Sequence, residues 1–357
     1  MHWAMTKKTP AYGARAAKGP LEPIVIERRA PGPHDVEIEI LYCGICHSDL
    51  HKVNNDWENT HFPIVPGHEI IGRVISLGGK SSSFREGDLV GVGCIVDSCR
   101  TCPECRAGNE MFCKKGVTFS FDSLERDGKT WTYGGYSTDM VVDERYVVRV
   151  PQVLNPARAA PLLCAGITTY SPLRQFACKR GDQVAVVGLG GLGHMAIKFA
   201  ASMGAVVTVL STSRDKEKDA ARLGAKNFVV TKESGALDKL AGTFNLIVDT
   251  VSAPHDLNQE LTLLGSLGTV VLVGLPPGST KLYPGVLIHG NKRLAGSNIG
   301  GIPETQEMLD YCGKHGVVAD IEIIKANQIN DAYARMQRND VRYRFVIDMA
   351  SLRADSK

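Results

Sequence analysis

The stretch DVEIEILYC, residues 35–43, alternates apolar and charged positions with period two, the pattern of a strand that buries one face. In FPIVPGHEIIGRVISLGG and REGDLVGVG, glycine and proline then break up short apolar runs. Residues 21–150 therefore predict an irregular, β-rich, barrel-like unit. The rhythm changes after Pro151. PARAAPLLCAGITTYSPLRQF reads as helix, and DQVAVVGLGGLGHMAIKFAASMGAVVTVLSTS reads as strand, glycine turn, helix and strand. NFVVT, FNLIVDTV and TVVLVGLP add apolar runs bounded by turn residues, a spacing that predicts repeated βα units around a parallel sheet. ETQEMLDYCGKHG then predicts a late helix and VRYRFVIDM a late strand. The chain carries no internal repeat and no low-complexity tract.

Composition changes this picture in three ways. A chain of 357 residues is long enough for about two domains of ~150 residues, each with a sizeable core. A formal net charge of +3, with no long Lys/Arg run, gives no support to nucleic acid or a membrane surface as partner. No apolar run approaches the ~18 residues of a membrane span. MHWAMTKK lacks the apolar core of a signal peptide, so the expectation is a cytoplasmic protein. Ten cysteines in a reducing compartment point to metal binding rather than disulfides.

The cysteines cluster. CRTCPECRAGNEMFC sets Cys99, Cys102, Cys105 and Cys113 at C-x2-C-x2-C-x7-C, a spacing that wraps four thiolates around one tetrahedral zinc and leaves no open position. An iron–sulfur cluster and free thiols are the competing readings. The long last gap and the lack of a second such motif count against the former. CGICHSDLH packs Cys43, Cys46, His47 and His51 into nine positions, which suits a redox pair, a metal knuckle or neither.

The glycines cluster too. Gly188, Gly190 and Gly193 form G-x-G-x-x-G after the apolar run 184–187 and before a helical stretch 194–201, the context of a dinucleotide turn. Its first glycine makes the turn, the second admits a pyrophosphate, the third lets helix and strand approach, and the helix N-terminus faces the phosphates. A dinucleotide carrying only a ribose hydroxyl calls for a carboxylate about twenty residues past such a turn. Ser211 stands at the tip of VVTVL instead, and Asp215 reads as part of the next helix start. Hydroxyls of Ser211, Thr212 and Ser213 and the charges of Arg214 and Lys216 suit a 2′-phosphate, so the expected cofactor is NADP(H).

Together CGICHSDLH, PGHEIIG, the cysteine loop, LLCAGITTY, GLGGLGH and GGIPETQEML resemble the zinc-dependent medium-chain alcohol dehydrogenases, most closely the cinnamyl-alcohol-dehydrogenase-like NADP-dependent aldehyde reductases, from about Ala14 to Asp348. The resemblance implies an α/β fold: a GroES-like β-rich catalytic domain (residues 1–155, with 298–357 returning to it) and a Rossmann doubly wound parallel-sheet domain (156–297). It implies two zinc ions per chain. Cys46, His68 and Cys164 would hold the catalytic one, with Glu69 able to approach it and Asp49 bonded to the far nitrogen of His68; the four-cysteine loop would hold the structural one. Cys43 is then a buried small residue. Ser48 and His51 would relay a proton. His47 and either Arg342 or Arg344 would meet the pyrophosphate, Thr168 the nicotinamide, and Gly191, Leu192 and Val273 would also contact the cofactor. Trp57 and Cys94 would line the substrate pocket.

The implied reaction is reversible hydride transfer between NADP(H) and a primary alcohol or aldehyde of broad aliphatic or aromatic range. The implied assembly is a homodimer paired through an edge strand, with TVVLVGLP and the segment near Leu287 as candidates. Ser48 and Trp57 depart from the lignin-type pattern, which expects threonine and a smaller aliphatic residue. A zinc polyol dehydrogenase would typically carry glutamate where Cys164 stands. Zinc-free quinone reductases lack these ligands, and a catalytically silent NADPH-binding protein would not need Ser48 and His51.

Overall fold

The computed structural model describes residues 6–355. They divide into two compact units, one running to Cys164 and resuming at Gly300, the other spanning Ala165–Ile299.

In the first unit the alternating segment forms the strand Asp35–Gly44, with Val36, Ile38, Ile40 and Cys43 fully buried. It sits near the middle of a mainly antiparallel sheet ordered Ile321–Lys325, Arg344–Asp348, Asp35–Gly44, Ile70–Leu77, Leu89–Val92 and Val148–Arg149, with Asp139–Asp143 also pairing to Asp35–Gly44. A separate antiparallel hairpin joins Lys7–Gly13 to Glu22–Arg28. The late strand thus returns to the first unit, because Val346, Ile347 and Asp348 pair with Gly44, Cys43 and Tyr42.

The second unit holds a parallel sheet ordered Asn227–Val230, Val206–Ser211, Gln183–Val187, Phe244–Asp249, Leu264–Leu272, Arg293–Gly296. In chain order that is 3-2-1-4-5-6, the doubly wound arrangement. The strand order runs outward both ways from Gln183–Val187, and the glycine turn follows its carboxyl end, the switch point at which such sheets bind ligands. Val184, Ala185, Val186, Val207 and Val209 are all fully buried, as continuous apolar runs covered on both faces should be. Phe244, Ile247, Leu261 and Val270 knit strands to the helix Leu257–Leu263 in one apolar cluster.

Three local expectations change. PARAAPLLCAGITTYSPLRQF is not one helix: Pro156–Ala159 and a tight 3-10 turn, Ala160–Leu163, precede a break at Cys164 (φ −131°, ψ −70°), and Ala165–Gln175 follows. The break frees the Cys164 side chain from the helical surface. TVVLVGLP is not an edge, because Leu264–Leu272 has a neighbour on each side; the edges are Arg293–Gly296 and Asn227–Val230. Asp215 lies in the 3-10 turn Arg214–Lys216, just ahead of the helix Glu217–Leu223. No helix among the described residues is long and apolar enough to cross a membrane.

Gly67 fixes the approach of PGHE to the rest of the unit. It adopts φ +108°, and a Cβ there would lie 2.7 Å from the Tyr136 ring and 2.8 Å from both Cys43 Sγ and the Gly135 nitrogen. Gly67→Ala is therefore expected to cost at least ~1–3 kcal/mol from backbone strain alone, read as a lowered urea midpoint with unchanged m-value.

Candidate active site

The helix His47–Asn54 starts at Cys46 through a reciprocal cap: Cys46 N–H donates to Asp49 Oδ2 at 2.9 Å, and the Asp49 backbone turns back onto Cys46. The Asp49 carboxylate does more than cap. Oδ2 also accepts from the Tyr136 hydroxyl (3.2 Å), and Oδ1 accepts from Gly67 N–H (3.1 Å) and His68 Nδ1 (3.0 Å). A fully buried carboxylate is thus satisfied by four donors. Because Nδ1 donates to Asp49, Nε2 is the nitrogen that His68 can offer a metal ion, which would displace the proton it holds otherwise.

The structure brings Cys46, His68, Glu69 and Cys164 together, one ligand atom from each lying within 4.8 Å of all the others. The Cys46 and Cys164 sulfurs are 3.9 Å apart, and two thiolates ~2.3 Å from one tetrahedral zinc sit ~3.8 Å apart. The hydrogen bond from Cys164 holds the Cys46 thiol well below its ordinary range, against burial and with help from the Arg344 charge. The same bond, with one to Cys94 and burial, pushes Cys164 up. Two sulfurs sharing one proton are what a thiolate pair does without a cation, so this donor set fits a zinc ion.

Arg344 is buried and ion-paired to Glu69, which burial pushes up to about 8 in spite of that partner. Glu69 Oε2 and Arg344 Nε are buried without a hydrogen-bond partner. Arg344, expected at the pyrophosphate, therefore has its guanidinium on Glu69 here. Arg342 N–H donates to Glu322.

The four loop cysteines also gather within 4.8 Å of one another. Cys102 Sγ is 3.4 Å and Cys99 Sγ 3.9 Å from Cys105 Sγ. Backbone N–H groups point at sulfur: Cys102 to Cys99 and Cys99 to Cys113, both at 3.3 Å. The N–H groups of Thr101 and Cys102 pull Cys99 down to about 5. Burial and the neighbouring Cys102 push Cys105 the other way, up to about 11; sulfurs crowded this closely without a cation divide into thiolate and thiol, and the set fits a closed zinc site. Cys43 belongs to neither set; it is fully buried in the core, as a small apolar residue can be.

Around the open cluster, Ser48 Oγ is 3.8 Å from Cys46 Sγ. His51 stands one turn further along the same helix, its Nδ1 2.8 Å from Asp56 Oδ2. The Trp57 ring lies 5.4 Å from the His51 ring and is 41% exposed. His47 is exposed in the first turn of that helix, where partial desolvation lowers its pKa against the opposing charge of Cys46, and Cys94 hydrogen-bonds Cys164. Tyr136 and Asp56 carry no motif signal; the fold brings Tyr136 to Asp49, and Asp56 meets His51 just past the end of the same helix.

In the second unit, Gly188 turns with φ +86°, a Cβ on Gly193 would run into the Gly188 carbonyl, and nothing lies within 4 Å of where a Cβ on Gly190 would stand. Gly191 accepts from His194 Nδ1, and Leu192 precedes the helix Gly193–Ser202. Val273 N–H donates to the Asp249 carbonyl, and Thr168 is buried in Ala165–Gln175. Ser211 ends its strand. Lys216 Nζ donates to the Leu189 carbonyl at 2.8 Å, so its charge stands at the glycine turn. Arg214 is turned toward Glu233 (2.5 Å) and Glu217 (3.4 Å). Ser213 Oγ donates to Asp215, and Thr212 is exposed.

Two family models cover most of this chain: the alcohol dehydrogenase GroES-like domain matches residues 32–152 and the zinc-binding dehydrogenase domain residues 191–314. The chain belongs to the zinc-dependent medium-chain alcohol dehydrogenases, in their cinnamyl-alcohol-dehydrogenase-like branch. It is 53% identical to the aldehyde reductase YahK of Escherichia coli, over 97% of this chain and 99% of that protein. It is 52% identical to the NADP-dependent alcohol dehydrogenase C of Mycobacterium tuberculosis, over 96% of this chain and 99% of that one. A cinnamyl alcohol dehydrogenase from Sorghum bicolor superposes with TM-score 0.93 at 45% identity, covering 96% of this chain and 98% of that one. The enzyme of that type from Helicobacter pylori, solved with NADP(H), gives 0.91 at 40%, covering 97% and 99%.

Asp49 offers the sharpest test of this geometry. Asp49→Asn replaces an acceptor-only group with one that turns an NH2 toward N–H and O–H donors. It is expected to cost about 3–5 kcal/mol of stability, as breaking a buried charged network does, measured by urea unfolding followed by circular dichroism.

Proposed function

We propose that this protein is a zinc- and NADP(H)-dependent alcohol dehydrogenase that reversibly interconverts primary alcohols and aldehydes of broad aliphatic or aromatic range. The observation that carries the reading is the convergence of two sulfurs and one oriented imidazole on a single point, beside a hydroxyl-bearing helix turn. When bound, zinc supplies a Lewis acid for the substrate oxygen, and the nicotinamide supplies or accepts the hydride.

The chain's own residues do the rest. Cys46, His68 and Cys164 hold the catalytic metal, and Asp49 keeps His68 in the tautomer that can ligate it. Arg344 holds Glu69 as a reserve ligand. Ser48 takes the hydroxyl proton in alcohol oxidation and returns it in aldehyde reduction. His51, steadied by Asp56, passes that proton to and from solvent. Trp57 and Cys94 bound the substrate side. Cys99, Cys102, Cys105 and Cys113 hold a second zinc that organises their loop.

For the cofactor, Gly188, Gly190, Gly191, Leu192 and Gly193 receive the pyrophosphate. Ser211, Thr212, Ser213 and Lys216 receive the 2′-phosphate, and Arg214 joins them once it leaves its acidic neighbours. His47, Thr168 and Val273 complete the cofactor contacts, and Arg344 can meet the pyrophosphate only by releasing Glu69. The catalytic domain is the unit that runs to Cys164 and resumes at Gly300, a few residues off the expected 1–155 and 298–357, and the cofactor domain is Ala165–Ile299 rather than 156–297. The protein acts in the cytoplasm as a homodimer. The unpaired edge strand Arg293–Gly296 and the exposed Leu275, Tyr283 and Ile288 support pairing through the second unit.

Metal analysis of the purified protein should find about two zinc ions per chain. Cys46→Ser should abolish turnover of benzaldehyde with NADPH while the protein stays folded. Cys102→Ser should chiefly lower the thermal midpoint. One zinc per chain, or full activity in Cys46→Ser, overturns the assignment. For the cofactor, Ser211→Asp sets a carboxylate where the 2′-phosphate would sit. The NADPH-over-NADH ratio of kcat/KM should fall roughly tenfold or more, the effect of a ~1.4 kcal/mol repulsion. A wild-type enzyme more efficient with NADH would refute the reading of the strand tip.

A further inference from the structure

The described residues contain a third group of metal-donor side chains, which lies in the second unit and includes no cysteine. Asp249 ends the strand Phe244–Asp249, His255 follows on the loop, and Glu260 comes from the helix Leu257–Leu263. Both carboxylates are buried, while the His255 side chain keeps 20% of its surface exposed.

The hydrogen bonds leave one arrangement. His255 Nδ1 donates to the Ala253 carbonyl at 2.9 Å, which turns Nε2 toward Asp249 Oδ2 (2.9 Å) and Glu260 Oε1 (3.3 Å). Asp249 Oδ1 already accepts from Val251 N–H at 2.9 Å. Glu260 Oε2 is buried with no partner at all. Two buried carboxylates converging on one ring nitrogen require positive charge between them; without an ion the His255 imidazolium is that charge, and a divalent cation would take its place by displacing the Nε2 proton. Donor atoms ~2.1 Å from a single ion lie ~3.0–3.4 Å apart; the 3.3 Å spacing to Glu260 falls in that range and the 2.9 Å spacing to Asp249 just short of it. A histidine whose Nδ1 is tied to a backbone carbonyl, with Nε2 facing carboxylates, is also how a ligating imidazole is held.

We propose that Asp249, His255 and Glu260 form a site for a divalent transition-metal ion of the zinc or manganese type, separate from both cysteine-containing sets. One nitrogen and two or three carboxylate oxygens suit such an ion, and water reaching the exposed side of His255 completes its coordination. The ion ties the end of a central strand to the loop 250–256 and to the helix behind it. That loop borders the glycine turn: Thr250 Oγ1 donates to the Val187 carbonyl at 2.7 Å, and Asp249 is the register partner of Val187. Binding therefore stiffens the wall beside the dinucleotide turn.

The test compares wild type, His255→Gln and Glu260→Gln as purified holoenzymes. Each is dialysed against micromolar Zn2+ or, separately, Mn2+, and metal per chain is counted by mass spectrometry. Wild type should exceed both variants by about one equivalent, and added Zn2+ should raise the melting temperature of wild type but not of His255→Gln. The difference between proteins reads this site however fully the cysteine sets are loaded, so its failure is separable from failure of the catalytic assignment. Equal metal contents, or a Zn2+-induced rise that survives in His255→Gln, overturn the proposal. Should Glu260→Gln not fold, the partly exposed His255 position decides the matter alone.

Discussion

The first unit depends on one buried carboxylate. Asp49 has no exposed surface, and its four donors come from three parts of the chain: Cys46 from the start of its own helix, Gly67 and His68 from PGHE, and Tyr136 from a loop 87 positions away. An ionised group in such a place is tolerable only when donors surround it, and the four found here do so. In satisfying Asp49, the chain sets the tautomer of His68 and the position of the Cys46 backbone together. The geometry of the metal-donor cluster is thus a by-product of solving an electrostatic problem in the core.

The cysteine sets solve the opposite problem. Each gathers sulfurs whose mutual approach is unfavourable as anions, and each relieves it differently. In the loop, backbone N–H groups stabilise the sulfurs one by one. In the buried cluster, a proton is shared across the Cys46–Cys164 pair while Arg344 supplies charge nearby. A divalent cation does the same work at both places, and the difference in donor number leaves one closed and one open. Glu69 shows the balance best: burial drives it toward the protonated form, the Arg344 guanidinium opposes this, and one oxygen is still left without a partner.

In the second unit the constraint is close approach. A parallel sheet buried on both faces accepts only apolar runs, and the glycine turn exists because the helix Gly193–Ser202 passes so near the strand end that no side chain fits at Gly193. The charge at that turn is set by a longer reach, Lys216 bonding the Leu189 carbonyl across 27 positions. Arg214, two residues earlier, spends its charge on Glu233 and Glu217.

Spacing and period along the chain were enough to determine the α/β class, the alternating strand Asp35–Gly44, the glycine turn and the closed four-cysteine loop, because each rests on contacts between near neighbours. Motifs also name Cys46, His68, Glu69 and Cys164, but nothing local makes them meet. Cys46 and Cys164 are 118 positions apart, and Glu69 and Arg344 are separated by 275. Their meeting depends on Arg344–Asp348 returning to pair with Asp35–Gly44 and on the helical run breaking at Cys164. The same holds for which strands stand at the sheet edges and for the Tyr136 hydroxyl on Asp49. Periodicity records which face of an element is buried, but strand order and register decide which buried faces touch, and those are settled only when the whole core packs.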